Sequence, residues 1–418
     1  MPTPRCGAPG ADRPTVAAVL RRFLPDFTAR FPSPPHVLKI LRRLSRCHTG
    51  QLGWALWQCE RCSQPHWRPR GCGDRHCPQC TARAREAWLE KQRAALLAVR
   101  YYHWVFTLPA VLRPLALQNQ KAIYTLLFNA AAETLLQFGE ERFGARLGVT
   151  VLLHTWGQNL MEHPHVHCLV TGGGLIHEPG QPPRWRGPKQ AQYLFPVQAV
   201  AAMFRGKFLA GLKALRSEGA LEFHGRLELW RDPAVWERTL GALHGTKWNV
   251  FGKGSVTGPE SVLEYLGRYT HRVAISNGRV VRMEDRTVTF RYKDYRNEDA
   301  LKEMTPQGAE FVRRLSLHIL PAGFTKIRHY GILGNNRRAS LVPLARQALE
   351  KSPWRLDSAP VPRTPLPKPE PRGCPRCGSE DIVCVGQLDA SGQFTGLCKG
   401  AMRVRLRAGE PPAIWDNS

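Results

Sequence analysis

The chain has 418 residues, enough for a sizeable core and two or three units, and its 43% hydrophobic content excludes global disorder. The 60 Lys and Arg against 33 Asp and Glu leave a formal net charge of +27, an excess that self-repels unless a polyanion neutralises it; nucleic acid is the expected partner, with acidic membrane surfaces as the rival. No run of about 18 apolar residues offers a spanning helix, and no hydrophobic signal core follows Met1-Pro2-Thr3-Pro4-Arg5, so the chain reads as soluble and intracellular, with no membrane partner.

Residues 1–46 are helical in pattern: Val16, Val19, Leu20 and Phe23, then Val37, Leu38, Leu41 and Leu44, recur at three- and four-residue spacing among arginines. The positive face of this segment either follows phosphates or is an ordinary solvated face. Residues 47–99 read as a small zinc-binding module. Six of the twelve cysteines fall between Cys47 and Cys80, and four more between Cys374 and Cys398. In a reducing compartment, clustered Cys-x-x-Cys pairs mark metal knuckles rather than disulfides. Cys59-x-x-Cys62 and Cys77-x-x-Cys80 supply two ligands each, which predicts one tetrahedral zinc site built from all four. Cys47, His66, Cys72 and His76 are the donors left for a second site. Arg68, Arg70, Arg75, Arg83 and Arg85 interleave with Trp54, Trp57 and Trp67, which suits phosphate contact and base stacking, with two of the tryptophans expected in the module's core.

A helix is expected over 81–99, a buried strand over 101–109 and a long helix over 115–138. Strands follow at 147–155 and 166–171, the second ending in Gly172-Gly173-Gly174, then a helix over 196–216 and a fourth strand at 248–251. Pro259 occupies a first-turn position, where its missing N–H costs nothing, and opens a helix over 260–270. Segments 273–275, 279–281 and 287–292, with the turn Ser276-Asn277-Gly278, read as a meander. The fold class is therefore α+β, a central antiparallel sheet flanked by helices over residues 100–345 and preceded by the zinc-binding module. Residues 346–373 form a Pro-rich linker, and 374–418 carry a candidate C-terminal zinc knuckle from Cys374, Cys377, Cys384 and Cys398, followed by a tail.

The residues that carry chemistry lie in the 100–345 region. His165 and His167 flank one hydrophobe on a strand, so their imidazoles face the same side and can pinch one metal ion. A third ligand is needed, and His154 on the adjoining strand is the best candidate, with Glu162 and His163 as alternatives. Tyr265 and Tyr269 stand at i and i+4 on the expected helix, which sets both phenols on one face. A phenol, with a pKa near 10, attacks a phosphodiester poorly at neutral pH unless the target is polarised, and a divalent ion held by imidazoles provides that. Arg268 and Arg272 flank the tyrosines and suit phosphate contact.

Taken together, HPHVHCLVTGGG, YLGRYTHRVAISNGRV, the segment from FRYKDYRNEDALKEM to HYGILGNNRR, and RHCPQC resemble the transposases of the insertion sequence ninety-one type. That family belongs to the HUH single-strand nucleases, with rolling-circle replication initiators and conjugative relaxases. The resemblance spans roughly residues 35–345 and implies an HUH catalytic domain preceded by a zinc-binding DNA-recognition domain. It also implies that His165 and His167 are the HUH ligands, with Tyr265 and Tyr269 as paired nucleophiles; His154 matches the third histidine as relaxases space it. The implied activity is nicking of single-stranded DNA at element ends through a 5′-phosphotyrosine, with rolling-circle strand transfer, in the bacterial cytoplasm. Three imidazoles suit transition ions, whereas the family implies magnesium or manganese. The rival readings are a replication initiator with the same chemistry and a non-catalytic zinc-ribbon regulator whose histidines and tyrosines are structural.

Overall fold

A computed structural model of the protein describes residues 13–81, 88–90, 92–93, 95–190, 192–256, 262, 267, 273–294, 297–356, 373–396, 403–405 and 413–415. Two helices open it. α1 (Val16–Arg30) begins where the Thr15 hydroxyl accepts the Ala18 N–H at 3.1 Å, and α2 (Pro35–Ser45) starts on a proline, whose missing N–H falls among the unpaired first-turn donors. The hairpin β1 (Trp54–Cys59) and β2 (Pro65–Pro69) follows in the cysteine-rich module.

The next strands are β3 (Tyr101–Thr107), β4 (Arg146–Trp156), β5 (Glu162–Ile176), the short β6 (Arg184–Arg186) and β7 (Val250–Val256). A three-stranded meander of β8 (Val280–Met283), β9 (Val288–Asp294) and β10 (Ala300–Met304) comes before β11 (Ile327–Gly331), which returns to the central sheet. That sheet runs β11-β4-β5-β3-β7, with β6 paired to the end of β5. Every strand pairing among the described residues is antiparallel, and the α+β class holds.

Side-chain alternation divides the central sheet into two chemically different faces. Tyr102, Trp104 and Phe106 of β3, Val149, Val151 and Leu153 of β4, and Val166, Cys168 and Val170 of β5 enter the main core. α3 (Gln120–Phe143) covers this face, with α4 (Val197–Ser217) and α5 (Pro233–Gly245) beyond it. α3 is apolar on nearly every side because it lies between the sheet and α4. At the α3–α4 crossing a Cβ on Gly211 would stand 2.2 Å from the Leu126 Cδ1 methyl, so a larger residue there would require that side chain to move. The alternate residues of the same strands, Tyr101, Leu152 and Leu169, pack a smaller cluster on the other face.

A second core joins α1 and α2 to the meander and to α6 (Gly308–Ser316). The Val16 N–H donates to Asn277 Oδ1 at 2.9 Å, and Arg22 pairs with Asp285 at 2.8 Å. Cys47, Cys72 and Cys77 sit in this same core. Arg75 donates to the carbonyls of Phe324 and Pro321, and His76 Nε2 accepts the Leu320 N–H at 3.2 Å, so the cysteine module is tied to the segment at residues 320–324.

Several elements differ from the sequence expectations. The helix expected over 115–138 breaks at Asn119, whose amide side chain bonds the Glu222 backbone at 2.7 and 2.9 Å instead of facing solvent on a continuous helix. The strand expected to stop before Gly172 runs on to Ile176, because Gly172 to Gly174 lie against the backbones of Arg100, Arg186 and Arg146 and leave no room for side chains. Residues 273–275 are not a strand; Ala274 and Ile275 are instead buried in the second core. α7 (Arg338–Leu349) continues into the segment expected as linker. Of the helix expected over 81–99, residues 81, 88–90 and 92–93 are described and helical, and the chain has left the helix by residue 95. Most of the helix expected over 260–270 and residues 357–372 of the expected linker lie outside the described residues. No helix among the described residues is long and apolar enough to cross a membrane.

His318, at the end of α6, is fully buried between Thr155 Oγ1 at 3.1 Å and the Leu160 carbonyl at 3.0 Å, and burial pushes its pKa down to about 4. The unfolded chain therefore takes up a proton on this ring between about pH 6.5 and pH 4 that the folded chain refuses. Stability is full above that window and falls as the pH drops into it, by roughly 2 kcal/mol at pH 5 from this residue. Thermal melts at pH 7.5 and pH 5 are expected to show a larger drop in Tm for the wild type than for His318→Gln; equal drops would contradict the assignment.

Candidate metal centres and active site

Three histidines meet on the face of the central sheet opposite the main core. His154 of β4 pairs in register with His165 of β5, and His167 lies two residues further along the same face. One ring nitrogen from each of the three lies within 4.8 Å of the others. Hydrogen bonds orient two of the rings. His165 Nδ1 donates to the His163 carbonyl at 2.6 Å, so its Nε2 carries the lone pair. His167 Nδ1 lies 2.9 Å from His103 Nε2. A metal-bound imidazole characteristically donates its second N–H to an acceptor that fixes its tautomer, and both rings have such an arrangement. Three imidazole nitrogens at this spacing could hold a divalent ion with open coordination positions. His154 and His167 are buried and His165 is half-buried, so access is from the His165 side. Neither sequence alternative joins them: Glu162 lies near Tyr124 and Arg313, and His163 Nδ1 contacts Arg113 at 3.4 Å.

His103 was not among the residues singled out from the sequence. It sits on β3, diagonal to His167, because Val105 is the residue opposite His167. Burial, with a smaller contribution from Lys253, holds its pKa down to about 4, so it is a neutral partner for His167. Alternation along YYHWVF placed it on the same face as Tyr101; only the β3–β5 register brings it to His167.

The cysteines assemble differently from the sequence expectation. Cys59 and Cys62 are not brought to Cys77 and Cys80. Instead Cys77 and Cys80 meet Cys47 and Cys72, with Sγ separations of 3.6 Å for Cys47 to Cys77, 3.6 Å for Cys47 to Cys80 and 3.7 Å for Cys72 to Cys80. A tetrahedral zinc with bonds of about 2.3 Å sets its sulfurs about 3.8 Å apart, whereas a disulfide needs about 2 Å. The Cys72 N–H points at Cys47 Sγ and the Gly73 N–H at Cys80 Sγ, as thiolate acceptors require. Contact with Cys72 pulls Cys47 down to about 5, and contact with Cys47 and Cys80 raises His48 to about 10, setting an imidazolium beside the sulfurs. The linear pairing failed because α2 and the chain before β1 bring Cys47 back over the 72–80 loop. His76 is engaged by Asp74 and Leu320, and His66 joins neither cluster.

Comparison with known proteins bears on this arrangement directly. Residues 19–108 match the family described as "Transposase zinc-binding domain", and residues 148–340 the family described as "Putative transposase". The chain is 38% identical to "Putative transposase y4qJ" of Sinorhizobium fredii over 97% of its own length and 99% of that protein's. The chain belongs to the insertion sequence ninety-one transposase family. It is also 29% identical, over 82% of each chain, to the transposase for insertion sequence element IS801 of Pseudomonas savastanoi pv. phaseolicola. No solved structure matches. The transposase is thus a DNA-processing enzyme with a zinc-binding N-terminal region, and both cysteine pairs of that region lie inside the matched zinc-binding segment.

Tyr265, Tyr269, Arg268 and Arg272 of the transposase lie outside the described residues, as do Arg83 and Arg85. Val262, just ahead of the tyrosines, is described and fully buried in the cluster with Tyr101, Leu152 and Leu169. Trp54, Trp57 and Trp67 are each half-buried, and the Arg68 guanidinium lies 5.7 Å from the Trp57 ring centre.

If His103 orients His167 for an ion, His103→Phe should weaken Mn²⁺ binding at the three histidines by about 10- to 100-fold while leaving thermal unfolding of the apo protein nearly unchanged. Calorimetric titration of the wild type and the variant tests this, and equal affinities would exclude the role.

Proposed function

We propose that the transposase nicks one DNA strand at the ends of its element through a tyrosine nucleophile and transfers strands by a rolling-circle route. The observation that carries this reading is the meeting of His154, His165 and His167 on one face of the central sheet, with the Nδ1 atoms of His165 and His167 engaged elsewhere. Tyr265 and Tyr269 are the nucleophiles. A phenolic oxygen bonds to phosphorus as the bond from phosphorus to the 3′ oxygen breaks; the phenol's proton is lost and the departing 3′ oxygen leaves as a hydroxyl. The 5′ end stays on the enzyme as a phosphotyrosine that retains the energy of the original bond, so a second 3′-hydroxyl reverses the step and joins strands without ATP. Two tyrosines allow two such linkages to alternate.

Magnesium or manganese, held by the three histidines, would neutralise and polarise the scissile phosphate. The all-imidazole donor set favours manganese of the two. Val262 supports the pairing of tyrosines with this centre: it is anchored among Tyr101, Leu152 and Leu169, residues of the histidine-bearing face. Tyr265 is three residues on, a stretch that spans at most about 11 Å. Lys253 is exposed and stands opposite His103 in the β3–β7 ladder, where it serves as a phosphate contact beside the histidines. Arg268 and Arg272 extend that contact along the single-stranded substrate.

His165→Ala and His167→Ala are each expected to lower nicking of single-stranded end DNA by about a thousandfold or more while changing binding only a few-fold, since phosphates are held mainly by Lys and Arg. Wild-type nicking rates for both variants in excess manganese would rule out the centre. Tyr265→Phe and Tyr269→Phe should each impair complete strand transfer, and the double variant should form no covalent adduct with labelled oligonucleotide. Normal transfer by either single variant would show that one phenol is structural.

A further inference from the structure

The cysteines of β1 that the N-terminal cluster leaves out find their partners more than three hundred residues away. β12 (Ile382–Leu388) pairs antiparallel with β1, from Cys59 opposite Ile382 to Trp54 opposite Leu388, and β13 (Phe394–Gly396) completes a sheet of order β13-β12-β1-β2. This pairing brings Cys374 and Cys377 onto Cys59 and Cys62. Cys59 Sγ lies 3.6 Å from Cys377 Sγ, and Cys62 Sγ lies 3.5 Å from Cys374 Sγ. All four sulfurs fall within 4.8 Å of one another. As in the first cluster, these distances are far beyond a disulfide and close to the edge of a zinc tetrahedron.

The two Cys-x-x-Cys turns have the same backbone design. In each, the first cysteine's carbonyl accepts the N–H four residues on: Ser63 to Cys59 at 2.9 Å, Gly378 to Cys374 at 2.8 Å. In each, the first cysteine's N–H donates to the carbonyl five residues on: Cys59 to Gln64 at 3.2 Å, Cys374 to Ser379 at 2.8 Å. Both turns hold a residue in the left-handed region just after the second cysteine, Ser63 at φ 56° and Gly378 at φ 70°. Two knuckles of one geometry, facing each other across an antiparallel pair, have the arrangement of a zinc ribbon. Cross-links tie the halves: Glu60 N–H to the Asp381 carbonyl at 2.8 Å, and Arg68 to the Gly373 carbonyl at 3.2 Å.

Apolar burial alone does not hold the C-terminal half. Of residues 373–396 only Cys374, Gly386 and Leu388 are buried, and Val383 is 40% exposed. A unit this small with so little core ordinarily depends on a metal or disulfides. Cys384, expected from the sequence to share a C-terminal site, is exposed and turned to the Gly386 carbonyl, and Cys398 lies outside the described residues.

We propose that Cys59, Cys62, Cys374 and Cys377 bind a second zinc ion in a split site, which clasps the C-terminal segment to the N-terminal module and closes the catalytic region into a loop between them. The site falls outside both matched family segments on its C-terminal side, since these end at residues 108 and 340.

Zinc per chain, measured by elemental analysis of the full-length protein purified without added metal, tests this. The measurement is made in the His165→Ala/His167→Ala background, so that an ion at the histidines does not count. Two equivalents are expected, falling to one in Cys374→Ser/Cys377→Ser and to one in Cys77→Ser/Cys80→Ser. Cys377→His, which restores a ligand, should return the first variant's second equivalent when Cys374 is left intact. One equivalent in the parent, or two in Cys374→Ser/Cys377→Ser, would overturn the proposal. Should the serine variants fail to fold, cobalt exchanged into the parent decides: thiolate-to-cobalt absorption saturating at two ions per chain supports the split site, and saturation at one overturns it.

Discussion

The strict alternation of side chains along β3, β4 and β5 is the constraint on which the histidine centre depends. One set of alternate residues, from Tyr102 to Val170, is committed to the main core under α3. A slip of one residue in any of these strands would send that whole set to the opposite face and expose it, so the register is held by the burial of many large apolar groups at once. His154 opposite His165, and His103 diagonal to His167, are consequences of that register. The precision of the centre is thus inherited from a core with which the histidines share no contact face. Burial also keeps the second-layer imidazole neutral, as the lowered pKa of His103 indicates, which preserves the hydrogen bond that orients His167.

The cysteine module solves a different problem. Its strands are short and its tryptophans only half-buried, so it has little apolar surface with which to order itself. It gains order in three ways: Cys47, Cys72 and Cys77 are built into the core of α1, α2 and the meander; Arg75 and His76 reach the carbonyl and amide groups at residues 320–324; and four thiols gather at zinc spacing. Imidazolium at His48 beside this cluster offsets negative charge that four thiolates around a divalent ion would leave. The cysteine module is therefore mechanically joined to the segment at residues 320–324.

Glycine-dependent contacts account for one motif of the family resemblance. Gly331, in HYGILGNN, has φ 64° at the end of β11, and a Cβ there would lie 1.8 Å from the Leu147 carbonyl oxygen. Only glycine lets β11 turn off against β4 at that point. His329 in the same motif bonds Thr150 Oγ1 at 3.0 Å on the histidine-bearing face, so the motif shapes the outer strand beside the centre.

Much of this was legible in the linear chain. Hydrophobic patterning marked the N-terminal segment as helical and located β3 and β4 to within two residues, because each pattern is local and is repeated over a whole element, whereas β6 and the edge strand β11 were not expected. The His-x-His pair and its upstream partner were legible for the same reason: alternation within a strand is a local property, and His154 lies only one hairpin away. His103 was not legible, since its role depends on which strand lies beside β5 and in what register, and those are set by packing across the whole sheet. The cysteine pairings were misread for a related reason. Spacing shows that Cys59-x-x-Cys62 and Cys77-x-x-Cys80 are knuckles, but any two knuckles can complete a tetrahedron, and proximity in sequence favoured the wrong two. The partner of β1 is a strand beyond residue 380, and that choice was made by long-range strand pairing, to which local pattern is blind. Composition and spacing by themselves determined the kinds of site this protein carries, whereas the tertiary structure decided which residues share each one, because ligand geometry is a property of elements brought together from distant parts of the chain.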